Sequence, residues 1–282
     1  MVSIMKTNSQ WPKKPIQWRD EQGVLCVSVV FTWHLPMVRE WCFGIDARVG
    51  GPATKLMPNY FEDIPNIQVG GEIEGVLQRH NPQATFTSRG CIRRCGFCGV
   101  GMMEGPLRPL EDWPDLPTIC DNNLFACPQS HFDRVIERLK QWGYADFNQG
   151  LDPRLLTEYH AQRLKEIGRP VIRLALDHPR EYGEWDKAYQ CLRRAKFPKA
   201  LIRSYVLIGY DSDPSEAWQR CEWVYQNYKI KPLPMWFHAL NALKRNQVTK
   251  HQEELGWNDY ERRRIMQWYY QHKKAVKYEN NP

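Results

Sequence analysis

Short apolar runs alternate with segments of helical pattern along the middle of the chain. The apolar runs have strand length and lie at residues 84–88, 118–121, 145–149, 171–177, 202–209 and 233–238. The helical segments between them lie at residues 130–142, 157–167, 184–196 and 214–228. Strands and helices that alternate through short connections predict an α/β domain with a parallel sheet, right-handed crossovers and six repeated βα units.

The two ends of the chain depart from this pattern. Residues 24–32 predict a strand buried on both faces, residues 38–42 a short helix, and residues 43–51 a second strand. We therefore expect a small α/β layer before the main domain, with a loose polar arm over residues 1–21. At the other end, residues 258–274 predict a final helix rich in Arg, Trp and Tyr.

These patterns divide the 282 residues into an N-terminal layer (1–82), a domain of βα units (83–240) and a helical C-terminal segment (241–282). The net charge of +7 permits an anionic partner without requiring one. Residues 1–14 are polar, unlike a secretory signal, and no run approaches the roughly 18 apolar residues that span a membrane. We therefore expect a cytoplasmic protein without membrane contact, whose thiols stay reduced.

One stretch carries the candidate chemistry, residues 87–102, with the sequence TSRGCIRRCGFCGVGM. Its three cysteines have the spacing Cys-x-x-x-Cys-x-x-Cys and are Cys91, Cys95 and Cys98. Glycines surround them, and glycine lets the backbone approach a bound group closely. Three thiolates on one loop can hold three corners of a metal cluster and leave one metal site without a protein ligand, as a catalytic centre requires.

This motif, with the aromatic Phe97 just before the third cysteine, resembles the signature of the radical S-adenosylmethionine superfamily. The resemblance covers residues 86–238 and implies a partial (βα)6 barrel in which the three cysteines hold a [4Fe-4S] cluster. It also implies that S-adenosylmethionine binds the fourth iron and is cleaved to a 5′-deoxyadenosyl radical, which takes a hydrogen atom from the substrate. The implied partners are an external electron donor, such as a flavodoxin or ferredoxin, and a small-molecule or nucleotide substrate.

Parallel α/β folds collect their active sites at the carboxyl ends of the strands, so polar residues there are candidates for binding S-adenosylmethionine. Asn122 or Gln149 is expected to hydrogen-bond its amine or ribose, and Arg173 to pair with its carboxylate. By the resemblance, Phe97 packs on adenine and Gly209 lets the backbone approach it. The pattern assigns no catalytic residue and does not choose the outcome of the reaction.

Two of these residues have structural alternatives. Arg173 could form a buried ion pair with Asp152 or Asp177 in place of a cofactor contact. Asn122 could serve in a turn or as a helix cap.

The N-terminal layer resembles a shortened cobalamin-binding domain of the kind that precedes some radical enzymes. The Asp-x-His-x-x-Gly motif that supplies the cobalt ligand in such domains has no match in the chain, so we expect no bound cobalamin. Gly70, Gly71 and Glu72 match the letters of a family motif for the amine of S-adenosylmethionine. They precede the cysteine loop, whereas the family's copy follows the second barrel strand, so that role is not transferred.

Other functions remain open for the same residues. The loop could bind a structural zinc with His80 or Cys120 as the fourth ligand, or hold a disulfide and a spare thiol. Residues 260–277 interleave Arg and Lys with aromatics, a pattern that can contact nucleic acid or form an amphipathic helix packed through Ile265, Trp268 and Tyr269. The alternative function is therefore a non-catalytic nucleic-acid-binding or redox-sensing protein stabilised by zinc or an iron-sulfur cluster.

Overall fold

The computed structural model describes residues 11–71 and 73–272, and the chain divides into two compact units. The first unit comprises Met1–Thr85 with Leu240–Arg245, and the second comprises Phe86–Ala239 with Asn246–Pro282. The segment 241–282 therefore contributes to both units. Glu72 of the Gly-Gly-Glu match, the first ten residues of the predicted arm and the end of the predicted final helix lie outside the described residues.

A four-stranded sheet forms the centre of the first unit, in the order β1-β2-β3-β4. Its strands are Ile16–Arg19 (β1), Leu25–Ser28 (β2), Ala47–Gly50 (β3) and Ile67–Val69 (β4). Its helices are Leu35–Cys42 (α1), Pro52–Leu56 (α2) and Val76–His80 (α3), with a 3-10 turn at Thr32–His34. β1 pairs with β2 antiparallel, and the other pairs are parallel.

The prediction of two strands and a helix in this unit is confirmed. The prediction of a loose polar arm over residues 1–21 is wrong at residues 16–19, which form β1. Ile16 and Trp18 are half-buried and alternate with exposed Gln17 and Arg19, and the segment pairs with β2. This short run has only two apolar side chains, so it is a strand because its backbone hydrogen-bonds to β2.

The Gly-Gly-Pro sequence after β3 has a steric reason at Gly51. This residue has φ +108°, and a Cβ atom there would lie 2.5 Å from the carbonyl oxygen of Val29. The same oxygen accepts the N–H of Ala53 at 3.1 Å, so the first turn of α2 sits directly on the end of β2. Only glycine allows this approach, which closes the buried core of the unit around Val29 and Ala53.

The second unit contains the main sheet and most of the helices. The short strand Ala84–Thr85 (β5) ends the first part of the first unit. The strands of the second unit are Ser88–Arg89 (β6), Arg108–Pro109 (β7), Thr118–Ile119 (β8), Tyr144–Phe147 (β9), Arg169–Leu176 (β10), Ile202–Ile208 (β11) and Lys231–Trp236 (β12). Helices are Val100–Met103 (α4), Gln129–Lys140 (α5), Glu158–Lys165 (α6), Tyr182–Arg194 (α7), Pro214–Tyr228 (α8), Lys250–Glu254 (α9) and Asp259–Met266 (α10). Short 3-10 turns lie at Leu124–Ala126, Pro153–Leu155, Pro179–Glu181 and Lys199–Leu201.

Within the second unit, the main sheet has the strand order β12-β11-β10-β9-β8. The four pairs from β8 to β12 are parallel. The predicted α/β class and the predicted order of strands and helices are therefore confirmed. Each predicted βα element overlaps an observed one, and the boundaries differ by a few residues.

The helices of this unit pack on one face of the main sheet. Along β10, Ile172, Leu174 and Leu176 are buried, whereas Arg173 and Ala175 between them are only partly buried. The buried positions join one apolar core with residues of α5, α7 and α8, among them Phe132, Ile136, Trp185, Leu192 and Val224. The other face of the strand carries Val171, Arg173 and Ala175, which are all partly buried.

The predicted final helix is interrupted. α10 ends at Met266, Gln267 leaves the helical conformation, and residues 268–272 are helical again. Ile265 and Trp268 are fully buried, and the Trp268 ring contacts the ring of Trp218 on α8 at a centroid distance of 5.9 Å. The expected apolar packing of this segment is therefore confirmed at these two residues.

Candidate cofactor-binding site

The cysteine loop is closed at its base by the antiparallel pair β6–β7. The Glu104 carboxylate links the two sides of the loop, because it accepts the N–H of Gly90 at 2.8 Å and pairs with Arg89 at 3.0 Å. Gly90 has φ +75°, and a Cβ atom there would lie 2.2 Å from the carbonyl oxygen of Pro106. The returning backbone therefore requires glycine at this position, and the chain's own contacts define the base of the loop.

A backbone hydrogen bond links the second and third loop cysteines, because the N–H of Cys98 donates to the carbonyl oxygen of Cys95 at 3.0 Å. Burial raises the pKa of Cys95, and the nearby charges of Cys98 and Cys91 raise it further. Burial also raises the pKa of Cys98, again with a contribution from Cys91. Cys95 and Cys98 are therefore protonated at neutral pH, and metal binding would have to displace their protons.

The loop cysteines do not form a preassembled ligand set. Within the part of the chain that the structure describes, no group of three or more His, Cys, Asp or Glu side chains could hold a metal ion as placed. Of the alternative zinc ligands, His80 bonds the Ser28 hydroxyl at 2.9 Å, and burial raises the pKa of Cys120 to about 12. All nine cysteines are free, so the disulfide alternative is wrong.

Hydrogen bonds tie the first cysteine to the ends of β8 and β9. The sulfur of Cys91 accepts the backbone N–H of Arg93 at 3.3 Å and the side-chain amide of Asn123 at 3.7 Å. The Asp152 carboxylate then accepts Arg93 Nε at 3.0 Å, Asn123 Nδ2 at 3.4 Å and Arg154 Nε at 2.6 Å. One buried carboxylate thus connects the cysteine loop to segments that follow two neighbouring strands.

The charge of Asp152 is stabilised by this arrangement. Burial acts to raise its pKa, but the hydrogen bonds and charges of Arg154 and Arg93 outweigh burial and lower it. Asp152 is therefore ionised at neutral pH and can hold both guanidinium groups in place.

A second buried carboxylate fixes the segment that enters the loop. Asp121, just after β8, accepts the backbone N–H of Thr87 and the hydroxyls of Thr87 and Ser88, all at 2.6 Å. Burial raises the pKa of Asp121, and these hydrogen bonds oppose that effect. The network positions β6, and with it the first residue of the loop, against the carboxyl end of β8.

Aromatic rings connect the third cysteine to the ends of β11 and β12. Phe97 makes an edge contact with Tyr210 at a centroid distance of 5.5 Å, and Tyr210 makes another with Phe237 at 5.0 Å. A Cβ atom at Gly96 would lie 2.4 Å from the Tyr210 hydroxyl, so this part of the loop lies directly against the ring. The three rings form a continuous aromatic surface beside the thiols.

The other predicted binding residues have different surroundings. Asn122 donates to Glu104 at 2.9 Å, and Gln149 is exposed after β9. Arg173 forms a two-point ion pair with Asp146 and also donates to the Phe147 carbonyl at 3.0 Å. An ion pair was the alternative for Arg173, but its partner is neither Asp152 nor Asp177.

Packing against a tryptophan ring explains why residue 209 is a glycine, and the sequence did not predict this contact. It has φ +78°, and a Cβ atom there would lie 2.4 Å from the ring of Trp236. Its carbonyl oxygen accepts Gln252 Nε2 at 2.7 Å. Glycine at this position therefore allows Trp236 to pack against the end of β11.

Asp177 is one of the residues of this region whose roles the sequence did not predict. It follows β10, half-buried, and its charge acts on both Cys95 and Cys98. Burial and the charge of Glu181 raise its pKa to about 7, against the opposing charges of Arg154 and Arg220. A carboxyl that exchanges its proton near neutral pH beside the thiols can donate or accept a proton there.

The missed residues share a recognisable signal. Each directly follows a strand of the main sheet or its connecting turn, namely Asp121, Asp152, Asp177, Tyr210 and Phe237. A position at a carboxyl strand end is a signal that the sequence offers, but only the register of the strands shows which of these residues reach the cysteine loop.

A scan against models of known protein families finds no match to this chain, and a search of curated proteins finds no matching relative. No helix among residues 11–71 and 73–272 is long and apolar enough to cross a membrane.

Proposed function

We propose that this protein is a radical S-adenosylmethionine enzyme in which Cys91, Cys95 and Cys98 hold a [4Fe-4S] cluster. The observation that carries the proposal is the position of the three-cysteine loop. Contacts through Asp152 and Tyr210 hold that loop at the carboxyl ends of parallel strands, where α/β folds collect their active sites.

The donor set of the loop fits such a cluster. Three thiolates leave one iron without a protein ligand, and the N–H groups of Arg93 and Asn123 that point at Cys91 are of the kind that tunes cluster potentials. Because the thiols are not gathered into a ligand group, binding of the cluster would require the three sulfurs to come together and would displace the protons of Cys95 and Cys98.

We further propose that the main sheet is the wall of a partial (βα)6 barrel. Its support is the alternation of burial along β10 and along residues 202–206 of β11, where buried side chains on one face alternate with partly buried side chains on the other. In a barrel, the face with the partly buried side chains would line the interior. That interior would hold the substrate next to the cysteine loop.

When bound, the cluster and S-adenosylmethionine supply a 5′-deoxyadenosyl radical that removes hydrogen from the substrate, and the chain's residues bind and orient the reactants. The rings of Phe97, Tyr210 and Phe237 offer an aromatic surface for adenine. Asn122 and Gln149 supply amide groups for the amine or ribose. Arg173 and Gly209 complete the proposed binding residues, and Arg173 reaches a cofactor carboxylate only by giving up Asp146.

Anaerobic cluster reconstitution tests the proposal. The wild-type protein is expected to bind about four irons per chain with charge-transfer absorption, and to release 5′-deoxyadenosine from S-adenosylmethionine after dithionite reduction. The Cys91→Ala, Cys95→Ala, Cys98→Ala triple variant should do neither. Cys191→Ala is the matched control, because this partly buried thiol lies on α7, outside the loop.

Metal content separates the proposal from its alternatives. One zinc per chain without charge-transfer absorption would contradict it and favour a zinc-stabilised binding module. A cluster that binds S-adenosylmethionine without cleaving it, with candidate substrates present, would favour a redox sensor. We also propose a cytoplasmic location with a flavodoxin or ferredoxin as electron donor, which replacement of dithionite by either protein would test.

A further inference from the structure

Three basic residues lie side by side on neighbouring strands of the main sheet. Arg173 of β10 is directly opposite Arg203 of β11, which is directly opposite Lys231 of β12. Adjacent strands are about 4.8 Å apart, so like charges in such a row repel each other. A row of this kind needs compensating anions.

Among the residues that the structure describes, a carboxylate pairs with only one member of the row. Asp146 pairs with Arg173 at two points. Arg203 donates to the carbonyl oxygens of Ala200 and Ile202 at 2.6 and 2.8 Å, and Lys231 donates to the Tyr270 hydroxyl at 3.3 Å. Among the described residues, no carboxylate lies within ion-pair distance of Arg203 or Lys231, although both side chains are partly buried.

Two tyrosine rings flank Lys231, which lies directly opposite Arg203 on the neighbouring strand. Lys231 Nζ lies 4.7 Å from the ring centroids of both Tyr269 and Tyr270. Tyr270 is 62% exposed, so a face of its ring is accessible from solvent. Two cations beside an accessible aromatic ring are the elements that bind a phosphate and stack the base attached to it.

This cluster is remote from the cysteine loop. Arg203 and Lys231 stand at the start of β11 and β12, whereas the loop meets the residues that follow these strands. At about 3.3 Å per residue, β11 separates Arg203 from Gly209 by roughly 20 Å. The cations therefore have a role distinct from binding at the thiols.

We infer that Arg203, Lys231 and Tyr270 form a second binding site, which takes a phosphate group joined to a nucleobase. The planar guanidinium of Arg203 suits two phosphate oxygens, Lys231 adds a point charge, and Tyr270 stacks on the base. Burial and the charge of Arg173 lower the pKa of Arg203, an effect that a bound anion would relieve. The phosphate can come from a free nucleotide or from a single nucleic-acid strand.

Fluorescence anisotropy of the full chain with a labelled oligothymidylate tests this site. Arg203→Gln with Lys231→Gln should raise the dissociation constant at least tenfold and reduce the slope of log affinity against log salt by about 1.4, or about 0.7 per lost phosphate contact. Tyr270→Ala should weaken binding about fivefold or more through lost stacking. Thermal unfolding followed by circular dichroism checks that each variant folds.

Matched controls separate this surface from general charge. Lys165→Gln removes an exposed lysine at the end of α6, and Tyr260→Ala removes a tyrosine that is 68% exposed on α10. Both should bind within about twofold of wild type. The triple cysteine variant should also keep its affinity, because the cysteine loop is at the other end of the strands.

Competition identifies the source of the phosphate. Full displacement of the strand by AMP would assign the site to a free nucleotide, and resistance to AMP would assign it to a nucleic-acid strand. Equal displacement by AMP and inorganic phosphate would overturn the role of the base. Three results would overturn the site itself. They are unchanged binding in the Arg203 and Lys231 double variant, loss of binding only in the cysteine variant, and no binding by the wild type at low salt.

Discussion

The two ends of the main sheet differ in whether their charged side chains have partners of opposite charge. At the carboxyl end, Asp152 is held between Arg93 and Arg154, and the fully buried Arg220 pairs with Glu216 at 2.6 Å. At the amino end, Arg203 and Lys231 have no carboxylate partner in the described part of the chain. The carboxyl end is thus internally compensated and holds its groups in defined positions, whereas the amino end is suited to an anion supplied from outside.

The largest expected effect on stability comes from removing the charge of Arg220, which is paired at the carboxyl end of the sheet. Arg220 donates to the Asp177 carbonyl at 2.7 Å and to the Ser212 hydroxyl at 2.8 Å, besides pairing with Glu216. Arg220→Met should lower the free energy of unfolding by about 3–5 kcal/mol in urea titration, because it leaves a partly buried carboxylate unpaired.

The control for this change is Lys187→Met, which breaks an exposed pair with Glu184. It should cost less than about 1 kcal/mol. Equal costs for the two variants would contradict the idea that buried compensation organises the carboxyl end.

Gly90→Ala tests whether the close backbone contact at the base of the cysteine loop stabilises the carboxyl end of the sheet. The new Cβ atom would meet Pro106 at 2.2 Å with φ at +75°, so we expect a loss of about 2 kcal/mol of unfolding free energy. Under the proposed function the variant should also bind less iron. Gly101→Ala is the control, since no atom lies within 4 Å of its Cβ position, and an unchanged iron content in both variants would argue against a role for the loop base.

Asp177 predicts a pH dependence for the iron-free protein. Its pKa of about 7 exceeds that of an unfolded aspartate, so the folded state binds more protons between about pH 4 and 7 and loses stability as pH rises through that window. Asp177→Asn should remove this fall and be more stable by about 1–2 kcal/mol at pH 8, allowing for partial exposure. Parallel stability curves for the two proteins from pH 5 to 8 would refute it.

The smallest expected effect is at the uncompensated end. Arg203→Gln should raise the free energy of unfolding by about 0.5 kcal/mol at low salt, because it relieves repulsion from Arg173 and Lys231. The gain should vanish near 1 M salt, where charges are screened. A loss of stability would instead show that Arg203 holds the start of β11 through its carbonyl contacts.

Most of the fold was predictable because its signals are local. The run 171–177 predicted a strand that forms at Arg169–Leu176, and the helical pattern 214–228 coincides with Pro214–Tyr228. β1 was not predictable, since two half-buried side chains give little pattern and its strand state depends on pairing with β2. The break at Gln267 likewise has no Pro or Gly signal in the sequence.

The candidate site was predictable only in part. The spacing of Cys91, Cys95 and Cys98 makes them near neighbours in any compact loop, so the sequence identified them without a structure. Asp152 and Tyr210 reach the same loop from distant parts of the chain, and no local pattern indicates that they do.

By itself, the sequence determined the order of strands and helices and the three-thiol loop, because both depend on residues close together in the chain. Only the tertiary structure decided that Arg173 pairs with Asp146. It also decided that Arg203 lies between Arg173 and Lys231 on the neighbouring strands, and that neither Arg203 nor Lys231 has a carboxylate partner among the residues that the structure describes. The physical reason is strand register: backbone hydrogen bonds between distant segments set it, and a shift of one residue would turn each of these side chains to the other face of the sheet.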